Sequence, residues 1–492
     1  MSAPEDRARD IRRAVAQMAA SRWAATVASL AALMALSRLL PPDAFGLYAG
    51  LLAICLLADV IADFGVSARL VQRAEPSADE RAAGEGLALA LGLACGAALA
   101  VGAALAPASV LTEEGQRTLW LLAACVPVLS VGGPLEATLS RDLDFRVVSM
   151  LGVGRAVAEA GVAIGLAVMG AGAPALAGGL LAGRAAQAGV LLVIRARGGG
   201  YRPRLRGAGA FARFGRPYVL MEATPRVGDA ATLQVIGGAL GLGALGVFDR
   251  AKRVTGLLDQ TLLAGVMPVV LPALSRSLDA GHAPGTVYLR KVSVLAALLW
   301  PAFALIALMA EPIIAVLLGA QWADAVWPVR ILCLAGLALP VGKMSMKMFV
   351  AMDDVPAYAR IQMIHQALRV AMVGLGALHS LEAACLGGAA SSFVKAALIE
   401  RRLSGVIGVD VRDLARTAGP AAWLAAGALA GPAVLLALWG GAPPLALCSV
   451  AALLAGAGWL GAAALTRHPL FADLLAAWGD ARTTLLRRPA RP

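Results

Sequence analysis

Fourteen apolar stretches, each near the roughly 20 residues that a helix needs to cross a bilayer, leave this chain few folds to choose from. They fall at about 16–37, 46–66, 85–107, 118–139, 148–170, 173–194, 216–238, 254–274, 291–311, 326–348, 360–379, 381–401, 418–439 and 444–465. The 492 residues are 59% hydrophobic and 15% charged, too little polar surface to cover a water-soluble core of that size. The expectation is an all-α polytopic membrane protein with about 14 transmembrane helices.

The charge pattern gives an orientation. With the N-terminus inside, 29 of the 43 Lys and Arg fall in inner loops and tails and 5 in outer loops, so both termini are expected to be cytoplasmic. The densest inner stretch, Arg195–Arg216, carries seven arginines and no acid. In a soluble protein it would suggest nucleic acid. Between membrane-grade flanks it reads as a cytoplasmic loop, so the net charge of +12 implies membrane lipids as partners and no nucleic acid.

The halves on either side of that loop repeat. Residues 40–50 and 240–250 align at an offset of 200, with Leu40/Leu240, Ala44/Ala244 and Gly46/Gly246 identical. Asp59 then meets Asp259. An even number of helices separates the copies, so they share an orientation. The expected relation is a pseudo-two-fold axis along the membrane normal. The domains expected are an N-terminal six-helix lobe over 1–194, an Arg-rich linker over 195–215 and a C-terminal six-helix lobe over 216–402. An extra helix pair over 403–466 and a cytoplasmic tail over 467–492 complete the chain.

Several motifs in order resemble one family. They are SRLLPPDAFGLYAG at 37–50, DFGVSARLVQR at 63–73, LSRDLDFR at 139–146, GALGVFDRAKRV at 243–254, LPALSR at 271–276 and LLGAQWADAVWPVRILCL at 317–334. Together they resemble the bacterial Wzx-type oligosaccharide flippases, a polysaccharide biosynthesis protein family within the multidrug/oligosaccharidyl-lipid/polysaccharide exporter superfamily. The resemblance implies two six-helix lobes working by alternating access. It also implies a lipid-linked oligosaccharide as substrate, and a polysaccharide polymerase and export complex as partners. Many members stop at twelve helices; this chain adds a pair.

Charges inside apolar spans cost a few kcal/mol or more each, so they usually face a wet cavity or a partner. Arg22, Arg184, Arg226, Lys343 and Lys347 are the candidate substrate-binding residues, because cations in a low-dielectric cleft hold an anion such as pyrophosphate. Arg155, Arg330, Arg369 and Lys395 lie within reach of helix ends, where snorkelling is an equal reading. Glu222, Arg226 and Asp229 are spaced four and three apart on one face of the seventh segment, with Pro225 interrupting its ladder. They form either a self-neutralising stripe or a kinked gate. Asp59 and Asp63, i and i+4 on the second segment, either pair with these cations or, with Glu222 and Asp229, couple transport to H+ or Na+.

Other chemistry finds no foothold. GLGALG at 241–246 follows no strand, the four histidines have no ligand spacing, and the six cysteines lie singly in apolar runs. No cofactor and no enzyme activity are expected. An Ala-, Gly- and Arg-rich, Lys-poor composition is that of a GC-rich bacterial gene, and the expected location is the bacterial inner membrane. The function expected is translocation of polyprenyl-pyrophosphate-linked repeat units for exopolysaccharide, capsule or O-antigen (lipopolysaccharide) synthesis. The alternative is a cation-coupled small-molecule antiporter of the same superfamily.

Overall fold

The computed structural model describes residues 24–73, 76–141, 145–197, 202–263, 277 and 280–466. Every described regular element is a helix. In order they are α1 (Ala24–Leu39), α2 (Pro42–Asp63), the short α3 (Val66–Gln72), α4 (Ala78–Leu105), α5 (Glu113–Arg141), α6 (Phe145–Val168) and α7 (Ala173–Arg197). Then come α8 (Gly209–Leu258), α9 (Pro284–Leu308), α10 (Ala310–Leu317), α11 (Val326–Gly336), α12 (Leu339–Ala351), α13 (Val355–Ala377), α14 (Leu381–Ile407), α15 (Val411–Trp439) and α16 (Pro444–Leu465). Eleven of the described helices are long and apolar enough to cross a membrane. Each of the fourteen segments falls on a helix where described; parts of 16–37 and 254–274, and the tail 467–492, lie outside the described residues.

Local sequence sets the helix ends. Proline at the first or second position opens α2, α9, α12, α13 and α16, where its missing N–H costs no helical bond. Ser77 and Glu80 form a capping box at the start of α4, with bonds of 3.1 and 3.3 Å. The very short turn after α13 holds because Ser380 caps α14 through the Ala383 N–H at 3.1 Å, while Ser380 N also donates to the Gly376 carbonyl.

The chain folds as two compact units, one of residues 1–249 with 317–321 and the other of 250–316 with 322–492. The sequence drew its division at 195–215; the described part of that stretch is held against the first unit. Helix α7 runs on to Arg197, Arg195 pairs with Glu85 at 2.6 Å, and Arg204 pairs with Asp79 while its N–H bonds the Ala82 carbonyl. The first part of α8 then packs on the first unit. Phe211 is buried with Val66, Leu70, Ala83 and Ala88, and Gln234 donates to the Gly50 carbonyl at 3.0 Å. Gln321 donates to the carbonyls of Ser37 and Leu40.

In hydrocarbon no hydrophobic force drives helix pairing, so small residues and close backbone approach do the work. Gly92 and Gly96 of α4 meet Ser130, Pro127 and Ala123 of α5, as their spacing suggests. Gly161 and Gly165, a pair of the same spacing, face open space; Gly179 and Gly183 of α7 instead lie against Glu159 and Arg155 of α6. The tightest approach joins the two copies of the repeat. A Cβ on Gly46 would fall on the Leu242 carbonyl oxygen, and one on Gly246 on the Pro42 carbonyl oxygen. The offset of 200 exchanges one contact for the other, so the two stretches meet across a local pseudo-two-fold. Just before this contact, Gly241 breaks α8 with φ 88° and ψ 172°. The break expected at Pro225 lies there instead, because glycine alone adopts those dihedrals without strain.

In the second unit, the extra pair α15–α16 is docked on α9. Ala296 and Ala297 pack with Ala421, Leu424 and Ala463, and Met309 with Leu447 and Ala451. Pro301 leaves the Ala297 carbonyl without its helical donor, and the Trp459 indole N–H takes that place at 2.9 Å.

The reciprocal glycine contact makes a prediction. Gly46→Ala or Gly246→Ala forces backbone apart and is expected to cost about 1–3 kcal/mol, read as a lowered midpoint of thermal unfolding in detergent. Gly161→Ala, in open space, should hold the midpoint or raise it. Equal midpoints for all three variants would refute the contact.

Candidate functional site

The polar interior of the first unit gathers at a cavity of about 290 Å³ between α2, α5, α7 and α8. Its charged lining is Asp59 and Asp63 from α2, Glu136 from α5, Arg184 from α7, and Glu222 and Arg226 from α8. The helical spacing of the sequence puts them there: Asp59/Asp63 and Glu222/Arg226 are i, i+4 pairs, each on one face of its helix. Five of the nine candidate residues therefore share one space. It holds four carboxylates and two guanidiniums, where the sequence suggested a net-positive cavity.

The carboxylates are not equivalent. Asp63 ends α2 and caps α3: its oxygens accept from Gly65 N at 3.1 Å, Ser67 N at 3.3 Å and the Ser67 hydroxyl. The turn it holds passes through Phe64 and Gly65, both at positive φ. Glu136 accepts from the buried Gln187 amide at 2.9 Å. Asp59 has Asp63, Arg226 and Arg184 as its charged neighbours. Arg184 is reached by Arg155, Glu159, Asp59 and Glu136, and its Nε is buried without a hydrogen bond. Arg155 itself pairs with Glu159 along α6 at 3.3 Å. Tyr218 lines the same cavity and stacks on Phe214 at 5.9 Å. Tyr218, Glu136 and Gln187 were missed in the sequence. Each had a signal: Tyr218 lies one turn before Glu222, Gln187 one turn after Arg184, and Glu136 is an acid inside the fourth apolar span.

The remaining candidates are placed elsewhere. Asp229 is on α8 but does not line this cavity. Arg22 lies outside the described residues. Lys343 and Lys347 are half-buried on α12 of the second unit. There Lys395, at mid-helix on α14, has Arg369 of α13 and Lys343 as its charged neighbours. Gln362 and Gln366 on α13 carry buried side-chain oxygens without a hydrogen bond. Arg330 donates to the Ala307 carbonyl at 3.3 Å and lies 5.0 Å over the Trp327 ring.

A family profile described as "Polysaccharide biosynthesis protein" matches residues 35–327. The chain belongs to the polysaccharide biosynthesis protein family. No curated protein matches it. Among solved structures, the chain is similar to the lipid II flippase MurJ in an inward closed conformation, with a TM-score of 0.75 at 10% identity, over 93% of this chain and 99% of that one. It is also similar to an inward-facing multidrug resistance MATE family transporter of the MOP superfamily, with a TM-score of 0.59 at 17% identity over 77% and 95% of the two chains. A MOP superfamily transporter from Pyrococcus furiosus matches at 0.53 and 17% identity, over 80% and 95%. At these identities the likeness is one of fold. This member of the family is a multi-pass membrane protein whose all-α fold is like that of these solved structures.

The capping role of Asp63 is testable. Asp63→Ala removes every side-chain acceptor from the α3 turn, at about 1 kcal/mol, and the amides of residues 65–67 should exchange hydrogen about fivefold faster. Unchanged exchange would mean that α3 starts without this carboxylate.

Proposed function

We propose that this protein is a flippase that moves a polyprenyl-pyrophosphate-linked oligosaccharide repeat unit across the bacterial inner membrane, by alternating access, for exopolysaccharide, capsule or O-antigen assembly. The observation that carries this reading is the interior group of Lys343, Arg369 and Lys395 on three helices of the second unit. The charges that reach Lys395 are both positive. Cations gathered in a low-dielectric interior favour an anion beside them, and a pyrophosphate is such an anion. Arg369 and Lys395 join Lys343 in this role, rather than snorkelling, because each sits near the middle of its helix. Lys347, one turn from Lys343, extends the same face. Family membership supplies the sugar part of the argument.

The first-unit cavity then supplies the drive. Asp63 is committed to its cap and Glu136 to Gln187, so Asp59 and Glu222 are the carboxylates open to H+ or Na+, with Arg184 and Arg226 setting their field. Both termini lie in the cytoplasm, the side that carries most of the arginine. A polymerase and an export complex receive the flipped unit. One observation favours a second reading, a cation-coupled antiporter: that cavity holds more acids than arginines.

The test is a deletion strain whose lipids are extracted and assayed for a polyprenyl-pyrophosphate oligosaccharide held on the cytoplasmic leaflet. Wild type should clear it. Lys395→Gln should slow clearance about tenfold, the worth of one charge contact, and Arg226→Gln should slow it through coupling. No accumulation in the deletion strain, with altered sensitivity to small cationic compounds, would replace the flippase with the antiporter.

A further inference from the structure

We propose that a second cavity, of about 540 Å³ and lined by Arg69, Arg213 and Phe214 beside Gly209 and Ala210, binds the phosphate of an anionic phospholipid. It lies where the membrane spans end. Arg69 is on α3, the short connector between α2 and α4, and Arg213 is in the first turns of α8, after the connector from α7. The connector from α7 is tied to the start of α4 by the Arg204 N–H to the Ala82 carbonyl, and Phe211 of α8 packs on Val66 and Leu70 of α3, so both arginines lie on one face of the first unit.

Charge at this face is divided in a telling way. Glu85 is taken by Arg195, Asp79 by Arg204 and Glu80 by Arg73. Arg69 and Arg213 have no acidic partner among the described residues, and no acid lines the cavity. Arg69 is also held in place. Its guanidinium sits 5.0 Å over the ring of Phe211, which is buried with Val66 and Leu70. A cation fixed on an aromatic ring loses little freedom when it binds. Two guanidiniums across one space suit a phosphate, which each can meet with paired N–H donors. The volume is that of a small-molecule site, and Phe214 offers an apolar wall for glycerol or acyl carbons.

Lipid rather than soluble phosphate follows from the level of the site. At the ends of membrane spans the headgroups are the most concentrated phosphates, and each basic residue there draws the protein toward an anionic leaflet. The inference stands apart from the transport reading, since it concerns retained lipid and not substrate.

The experiment titrates the purified full-length protein in detergent, followed by native mass spectrometry. The probes are short-chain phosphatidylglycerol, phosphatidylcholine and inorganic phosphate. Phosphatidylglycerol should bind in preference to phosphatidylcholine. Arg69→Gln combined with Arg213→Gln should weaken it about tenfold or more. The double Lys variant should retain most binding, and Arg206→Gln, outside the cavity, all of it. Undiminished phosphatidylglycerol binding by the double Gln variant, at an unchanged unfolding midpoint, would overturn the proposal. So would equal binding of both lipids, or inorganic phosphate held by the two arginines without competition from lipid.

Discussion

Inside hydrocarbon a polar group has no water to fall back on, so each one must find its partner within the protein. The whole arrangement follows from that constraint. It draws the charges of α2, α5, α7 and α8 into one cavity. It makes the helices approach through glycine, where backbone can touch backbone without prying the ladder open. The Gly46–Gly246 contact is the extreme case: each glycine lies over the carbonyl of the other stretch's facing turn.

The fold was largely legible in the sequence because the bilayer imposes a single length on every span. Segments of about 20 apolar residues can be read by hydropathy alone, and the glycine shared by the two repeat copies, Gly46/Gly246, marks the stretches that meet within the first unit. The contacts of the Arg-rich stretch were not legible. Seven arginines without an acid look like a free loop, yet Asp79 and Glu85, more than a hundred residues earlier, bind two of them. Partners so distant in sequence leave no local pattern. The same reason hid Gly179 and Gly183, whose spacing equals that of Gly161 and Gly165; only the neighbouring helix decides which pair is used.

The site was legible in part. Helical spacing alone grouped Asp59 with Asp63 and Glu222 with Arg226. Their meeting with Arg184, Glu136 and Tyr218 is tertiary and had to come from the structure. Spacing also cannot tell which carboxylate caps a helix. Asp63 and Asp59 are equal in sequence, and only the bonds to Gly65 and Ser67 set Asp63 apart. Likewise spacing left Arg369 and Lys395 equally open to snorkelling or an interior role, and their nearness to Lys343 is tertiary.

The Trp459 indole that completes the Ala297 carbonyl ties the last helix pair to α9 by more than apolar contact. Pro301 removes a donor in mid-helix, so without Trp459 that carbonyl would face hydrocarbon unpaired. One hydrogen bond thus makes the integrity of α9 conditional on α16 being in place: whatever loosens the final pair also frays a helix far earlier in the chain.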